Sequence, residues 1–382
     1  MDGIKRNLFP ILQNKYYLNT CSIGPLALPV KEAMDKFITE WETEGGLAWG
    51  MNDGWTEKVE KARKEFANLI HAKSEEIAFS FGNSVAMSSI TSALDLKKED
   101  EIIFNELDFP ATTAHVMGKE ELGIHYKIAQ SKDGKTISPE DYKKVLNKKT
   151  KLVTACHVIS NSGFKVDINE LTKISHERGI QVFIDAYQSL GTISIDVKKQ
   201  DLDYLASGCL KWILGGFGIS FIYIREELID KLNPSSIGWM GMDSPFTDLY
   251  DKPRSTLHRP KTALKFQYGT PYPIGATTAY EGMKIISSIG IKTIEYQNQQ
   301  LTQEIITKAK EKGFKLLTSE EKENRGSIVN IQIPDAERIV TELKDKNFVL
   351  DYRAGGVRVS PHFFNNSEDI EKLFSEISST IN

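Results

Sequence analysis

Between residues 55 and 225, apolar runs of four to six residues alternate with longer stretches whose apolar positions recur every three or four residues. The first spacing is that of strands buried on both faces, and the second that of amphipathic helices. Their alternation predicts a mainly parallel sheet flanked by helices. A helix over 55–71 precedes a strand at IAFSF (77–81), and a second helix runs from Ser84 to Leu94. EIIF (101–104), KLVTA (151–155), QVFI (181–184), DYLA (203–206) and ISFIYI (219–224) read as further short buried strands.

From Asn233 to Lys261 a stretch rich in Pro, Gly, Ser and Asp interrupts this rhythm. Beyond it the order changes. Helices near 277–289 and 293–312 lead to a strand at SIVNIQI (327–333) and a helix at 335–345. Strands FVLDY (348–352) and VRVS (357–360) follow, then a last helix from Ser367. The expectation is an α/β chain with a large domain over 18–255 and a smaller α+β domain over 256–382, to which the segment 1–17 is assigned.

The length of 382 residues suits two domains, and contents of 40% apolar and 26% charged residues are ordinary for a globular protein. A net charge of -4 with no basic arm leaves no electrostatic footprint for nucleic acid. No apolar run is long enough to span a bilayer, and MDGIKRNLFP lacks the apolar core of a secretory signal. Cys21, Cys156 and Cys209 form neither a disulfide framework nor a CxxC metal pattern. A reduced, cytoplasmic setting without a metal site is therefore expected.

In open α/β sheets, ligands lie beyond the carboxyl ends of the strands, so polar residues just after apolar runs are the candidates for chemistry. Asp185 follows QVFI, with Gln188 three residues later, and Lys211 stands 26 residues beyond Asp185, before the loop WILGGFG. Gly82, Asn83 and Ser84 follow IAFSF and open a helix; Phe109 follows EIIF after a spacer, and Asn161 follows KLVTA. An amine for an aldehyde, a carboxylate for a pyridinium nitrogen and free helix amides for a phosphate together suit pyridoxal phosphate. Each residue also has a plainer reading. Asp185 alone reads as a helix cap, Lys211 as one of 48 Lys and Arg in solvent, Gly82–Ser84 as a turn, and Phe109 as core.

The run from Asp167 to Ile224, including FIDAYQ and SGCLKWILGGFG, resembles the core of the class V aminotransferases. The likeness extends through YYLNTCSIGP (16–25), FSFGNSVA (79–86), KFQYGTP (265–271) and VRVSPHFFN (357–365). These are fold-type I pyridoxal-phosphate enzymes related to cysteine desulfurases, kynureninases and isopenicillin N epimerases. The resemblance implies that Lys211 is the Schiff-base lysine, Asp185 the pyridinium partner and Gln188 the donor to the ring's phenolic oxygen. Phe109 would stack on the ring, Asn83 and Ser84 would meet the phosphate, and Asn161 would approach cofactor and substrate. Ser207 is a phosphate or structural contact. Thr270 would reach the phosphate of the neighbouring subunit, which implies a homodimer with shared active sites. Arg358 would grip the carboxylate of a small amino acid, with Arg353 the substitute ligand to consider.

The sequence also departs from its relatives. NFVLDYRAGGVRVS (347–360) holds no cysteine of the kind desulfurases carry shortly before that arginine, and Leu210 replaces the His that many members place before the lysine. Proton transfer at the substrate α-carbon then falls to Lys211. Trp49 and Trp239, in Gly-rich loops, are candidates to line a substrate pocket or to anchor those loops. Transamination is the expected reaction, with a pyridoxal-phosphate lyase or an epimerase as alternatives. A nucleotide-dependent oxidoreductase is excluded by the lack of a GxGxxG opening a helix. A non-enzymatic binding module would need neither Lys211 nor Asp185.

Overall fold

A computed structural model describes residues 3–243, 245 and 258–381. Seven strands form the main sheet: β1 (Ile77–Ser80), β2 (Glu101–Asn105), β3 (His125–Ala129), β4 (Thr150–Cys156), β5 (Gln181–Asp185), β6 (Tyr204–Gly208) and β7 (Ser220–Ile224). Their order is β1-β7-β6-β5-β4-β2-β3, and only β7 runs against its two neighbours. The expected mainly parallel sheet is thus present.

Alternation at period two divides each strand between two cores. Ile77, Ile103, Val182, Ile184, Leu205, Phe221 and Tyr223 enter one apolar cluster, while Ala78, Ile102, Phe104, Phe183, Tyr204 and Ile222 enter the other. Burial on both faces is why these strands read as unbroken apolar runs. Strand β3 went unpredicted because it is an edge strand, and His125, Tyr126, Lys127 and Ile128 are all at least partly exposed. The helix Leu28–Glu44 also went unpredicted; it buries only Val30 and Phe37, too few to set a helical period.

Helix Pro273–Ile289 packs against the first two helices, α1 (Leu28–Glu44) and α2 (Trp55–Leu69). Its Ala276, Ala279 and Met283 lie in the core of the large sheet, although they follow residue 256. The boundary drawn between residues 255 and 256 itself lies outside the described residues. A second, antiparallel sheet is formed by Asp351–Arg353, Gly356–Val359, Val329–Gln332 and Lys315–Leu316.

FVLDY is not one strand. Phe348–Val349 pairs with Tyr16–Tyr17, whereas Asp351–Arg353 turns back onto Gly356–Val359. Ala354 and Gly355 make that turn at φ 47° and 76°, the left-handed pair of a tight hairpin. The chain therefore leaves one partner at Leu350 and takes another at Asp351.

The chain passes from β2 outward to β3 and then returns beside β2 as β4, so connections diverge at the β2/β4 junction. The loops after these strands part there and open a crevice at the carboxyl edge.

Candidate active site

Asp185 is the last residue of β5 and is buried. Its Oδ1 accepts the Tyr187 N–H at 2.9 Å, and its Oδ2 accepts the Thr112 hydroxyl at 3.1 Å. Burial pushes its pKa above the ordinary carboxylate value, opposed by the Tyr187 N–H, the charge of Lys211 and the Thr112 hydroxyl.

Lys211 follows β6, whose side chains are all buried, so its stem leaves the sheet at a fixed point. The Nζ lies 4.4 Å from the centroid of the Tyr187 ring and 5.6 Å from that of Phe109. Burial lowers the pKa of this amine, and the neighbouring Arg358 adds to the effect; Cys21 and Asp185 oppose it. Two glycines make the packing possible. A Cβ on Gly208 would meet the Tyr187 ring at 2.5 Å, and one on Gly24 would meet the Lys211 carbonyl oxygen at 2.3 Å. The segment Cys21–Gly24 is thereby laid along the lysine, with the Gly24 N–H donating to the Leu210 carbonyl.

Gln188 is buried and held at both ends. Its Nε2 donates to the Cys21 carbonyl at 3.0 Å, and its Oε1 accepts the Trp212 indole N–H at 2.9 Å. An indole N–H only donates, so the amide oxygen must face Trp212 and the amino group must face away. Phe109 caps helix α4 (Pro110–Met117), with its N–H on Cys156 Sγ at 3.4 Å and its ring 44% exposed.

Asn83 and Ser84 open helix α3 (Asn83–Ala93), where free N–H groups and the helix dipole favour an anion. Neither polar atom of the buried Asn83 amide makes a well-formed hydrogen bond, although the side chain stands near enough to Asp185 to oppose the rise of its pKa. Ser84 is exposed, and a Cβ at the preceding Gly82 would meet nothing within 4 Å.

Arg358 is buried on the strand Gly356–Val359. It donates to the Ser160 carbonyl at 3.0 Å, the Ser22 hydroxyl at 2.9 Å and Asp351 at 2.5 Å. Arg353 is exposed and reaches the same Asp351 oxygen at 3.2 Å. Asn161 is an exposed turn residue whose carbonyl accepts from Asn330 Nδ2 at 3.0 Å. Ser207 is wholly buried within β6, its hydroxyl 3.1 Å from the Gly208 carbonyl.

Thr270 is exposed and lines a cavity of about 450 Å³ with Trp49, Trp239, Met240, Met242 and Leu264; its neighbours Gly269 and Pro271 adjoin Ser80 and Phe81, just before the Gly82–Ser84 turn.

Several residues escaped the sequence reading. Thr112 lies in the first turn of α4, three residues after Phe109, where a side chain can turn back toward the strand ends. Tyr187 and Trp212 adjoin residues already singled out, but nothing in the sequence assigns their partners. Ser22 and Asp351 reach the site only through Arg358. The carboxyl of Asp108, in the loop after β2, accepts the N–H groups of Asn105 and Cys156, and burial pushes its pKa up to about 7.

An amine of lowered basicity, a buried carboxylate at the strand end beside it and a buried amide without a well-formed hydrogen bond at a helix N-terminus fit an aldehyde cofactor with a basic ring nitrogen and a phosphate. Fold and site together define a fold-type I enzyme.

The chain belongs to the class V aminotransferase family, whose model, "Aminotransferase class-V", matches residues 17–373. This family is pyridoxal-phosphate dependent. The chain is 32% identical to an uncharacterized aminotransferase, YcbU, of Bacillus subtilis, across 98% of this chain and 96% of that one. It is 25% identical to a probable cysteine desulfurase of Methanothermobacter thermautotrophicus, across 97% and 96%. Its fold matches a structure of a C-DES mutant with glycine covalently linked to the PLP cofactor, at TM-score 0.90 and 18% identity, over 98% of this chain and 99% of that one. Among the described residues no helix is long and apolar enough to cross a membrane.

Proposed function

We propose that the chain is an aminotransferase acting on a small amino acid, with Lys211 as its catalytic base. The observation that carries this reading is the Lys211 amine, half-buried, reduced in basicity by burial and facing the buried Asp185. Pyridoxal phosphate, when bound, supplies an aldehyde for the amino group and a ring that accepts electrons from the α-carbon.

The remaining work belongs to the chain. Lys211 would hold the cofactor through its amine and, as a free amine, would take the proton of the substrate α-carbon and return it. Burial, which lowers its pKa, favours that neutral form. Asp185 keeps the ring nitrogen protonated, and Thr112 with the Tyr187 N–H keeps Asp185 oriented. Gln188, fixed by Trp212, presents its second amide hydrogen to the ring's phenolic oxygen. Phe109 stacks on the ring. Asn83, Ser84 and the first amides of α3 receive the phosphate, with Ser207 as a support from within the sheet. Asn161 approaches the substrate from its turn, and Arg358 receives the substrate carboxylate.

Thr270 is exposed, which suits a homodimer in which it serves the partner's phosphate. In this arrangement the cavity behind Trp49 and Trp239 adjoins the shared interface. The chain is proposed to work in the cytoplasm.

A lyase reading is favoured by the desulfurase relative. Against the desulfurase form of it stands the lack of cysteine between residues 347 and 360. Cys21, beside Lys211, is buried and 3.8 Å from Asn19 Oδ1. The deciding experiment incubates holoenzyme with a panel of amino acids, with and without 2-oxo acids, and identifies the products. An aminotransferase forms a new amino acid only when donor and acceptor are both present. Keto-acid, alanine or sulfur release without an acceptor would make the chain a lyase.

A further inference from the structure

The partners of Arg358 bear on which ligands it can take, given the reading that it receives a substrate carboxylate. A guanidinium grips a carboxylate at two points either across Nη1 and Nη2 or across Nε and Nη2. Both pairs include Nη2, and both Nη2 hydrogens are committed, one to Ser22 Oγ at 2.9 Å and one to Asp351 Oδ2 at 2.5 Å. Nε is buried without a partner, and Nη1 has given one hydrogen to the Ser160 carbonyl at 3.0 Å. An arriving carboxylate therefore finds one free donor in each pair and must displace a partner of Nη2 to gain the second.

Asp351 is the partner with somewhere to go. It sits on the short strand Asp351–Arg353, its side chain is 20% exposed, and the exposed Arg353 Nε already stands 3.2 Å from the same oxygen. We propose that Asp351 is a carboxylate gate, holding Arg358 in the free enzyme and passing to Arg353 when a substrate carboxylate takes Nη2. Charge favours exchange over addition. A second carboxylate beside the buried guanidinium would be costly to desolvate, whereas exchange keeps one buried anion against one buried cation. The gate weakens binding of every carboxylate ligand. It favours those that make the two-point grip over those that match only the single bond of Asp351.

The test uses holoenzyme and two probes that capture a cofactor aldehyde, aminooxyacetate and O-methylhydroxylamine, followed by the cofactor's absorbance. Only the first carries a carboxylate, so the ratio of their capture rates reads the carboxylate site without requiring the natural substrate. Wild type is expected to prefer aminooxyacetate, and Arg358→Leu to lose that preference. Asp351→Asn is expected to raise it about two- to fivefold, the range of a partly exposed ion pair. Arg353→Ala is expected to lower it, because Asp351 then keeps only the neutral Ser22 hydroxyl besides Arg358; this variant serves if Asp351→Asn fails to fold. An Arg358→Leu enzyme that keeps the preference removes the carboxylate-site reading itself. With that reading intact, an unchanged or reduced preference in Asp351→Asn, or an unchanged or raised one in Arg353→Ala, overturns the gate.

Discussion

Thr112→Val isolates one hydrogen bond beneath the site. Thr112 is completely buried, and valine has nearly its shape, so the substitution removes the hydroxyl that donates to Asp185 Oδ2 at 3.1 Å without opening a cavity. A hydrogen bond to an ionised group contributes about 1.5–3 kcal/mol, against about 0.5–1.5 kcal/mol for a neutral pair. The variant should therefore raise the Asp185 pKa further. Asp185 already has a pKa above its unfolded value, so its favourable contribution exists at low pH and is lost as pH rises through the folded value. Raising that value deepens the loss at high pH and leaves low pH nearly untouched.

The assay is urea unfolding of the cofactor-free protein over a pH series that starts near the ordinary carboxylate value and rises until the deficit levels off. The deficit of the variant should grow toward high pH and level off at about 1.5–3 kcal/mol. Cys156, also 3.3 Å from the Thr112 hydroxyl, has its pKa pushed far up by burial and titrates alike in the two unfolded proteins, so it adds no pH dependence to the deficit. A deficit of the same size at every pH would refute the claim that Thr112 supports the charged form of Asp185.

Asp185→Asn should retain cofactor but lose α-proton exchange by at least about a hundredfold, a fair share of what acid–base machinery contributes; exchange into deuterated water measured by NMR reports it, and a wild-type rate would make Asp185 a capping residue. Trp212→Phe should leave the Gln188 Oε1 without its donor, weakening pyridoxal-phosphate affinity about five- to a hundredfold, equivalent to about 1–3 kcal/mol. Equilibrium dialysis measures this, and an unchanged constant would mean that Gln188 needs no such support. Mixed dimers of Lys211→Ala with Thr270→Ala subunits should regain part of the activity, because one of their two sites carries neither defect; verified heterodimers without activity would remove Thr270 from the partner's site.

The resemblance placed Lys211, Asp185 and Gln188 near one another because each follows a buried strand, and parallel strands deliver their carboxyl ends to one edge. That logic needs only local pattern, and it extended to Phe109 and the opening of α3. It failed where a residue acts through a partner distant in sequence. Asp351 lies on the far side of a hairpin whose turn the FVLDY pattern concealed. Its bond to Arg358 depends on pairing across that hairpin, and Ser22 joins them from more than three hundred residues away.

The sequence by itself determined the sheet, the cofactor class and the positions from which the main side chains depart. Apolar runs specify strands buried on both faces, and the residue after each run has little choice of where to emerge. Only the tertiary structure decided what those side chains do on arrival. Trp212 sets which way the Gln188 amide faces, Thr112 supports one oxygen of Asp185, and Asp351 occupies the Nη2 of Arg358. The physical reason is range: hydrophobic periodicity is a property of neighbouring residues, while hydrogen-bond partnership and desolvation are set by whatever the fold brings within about 3 Å.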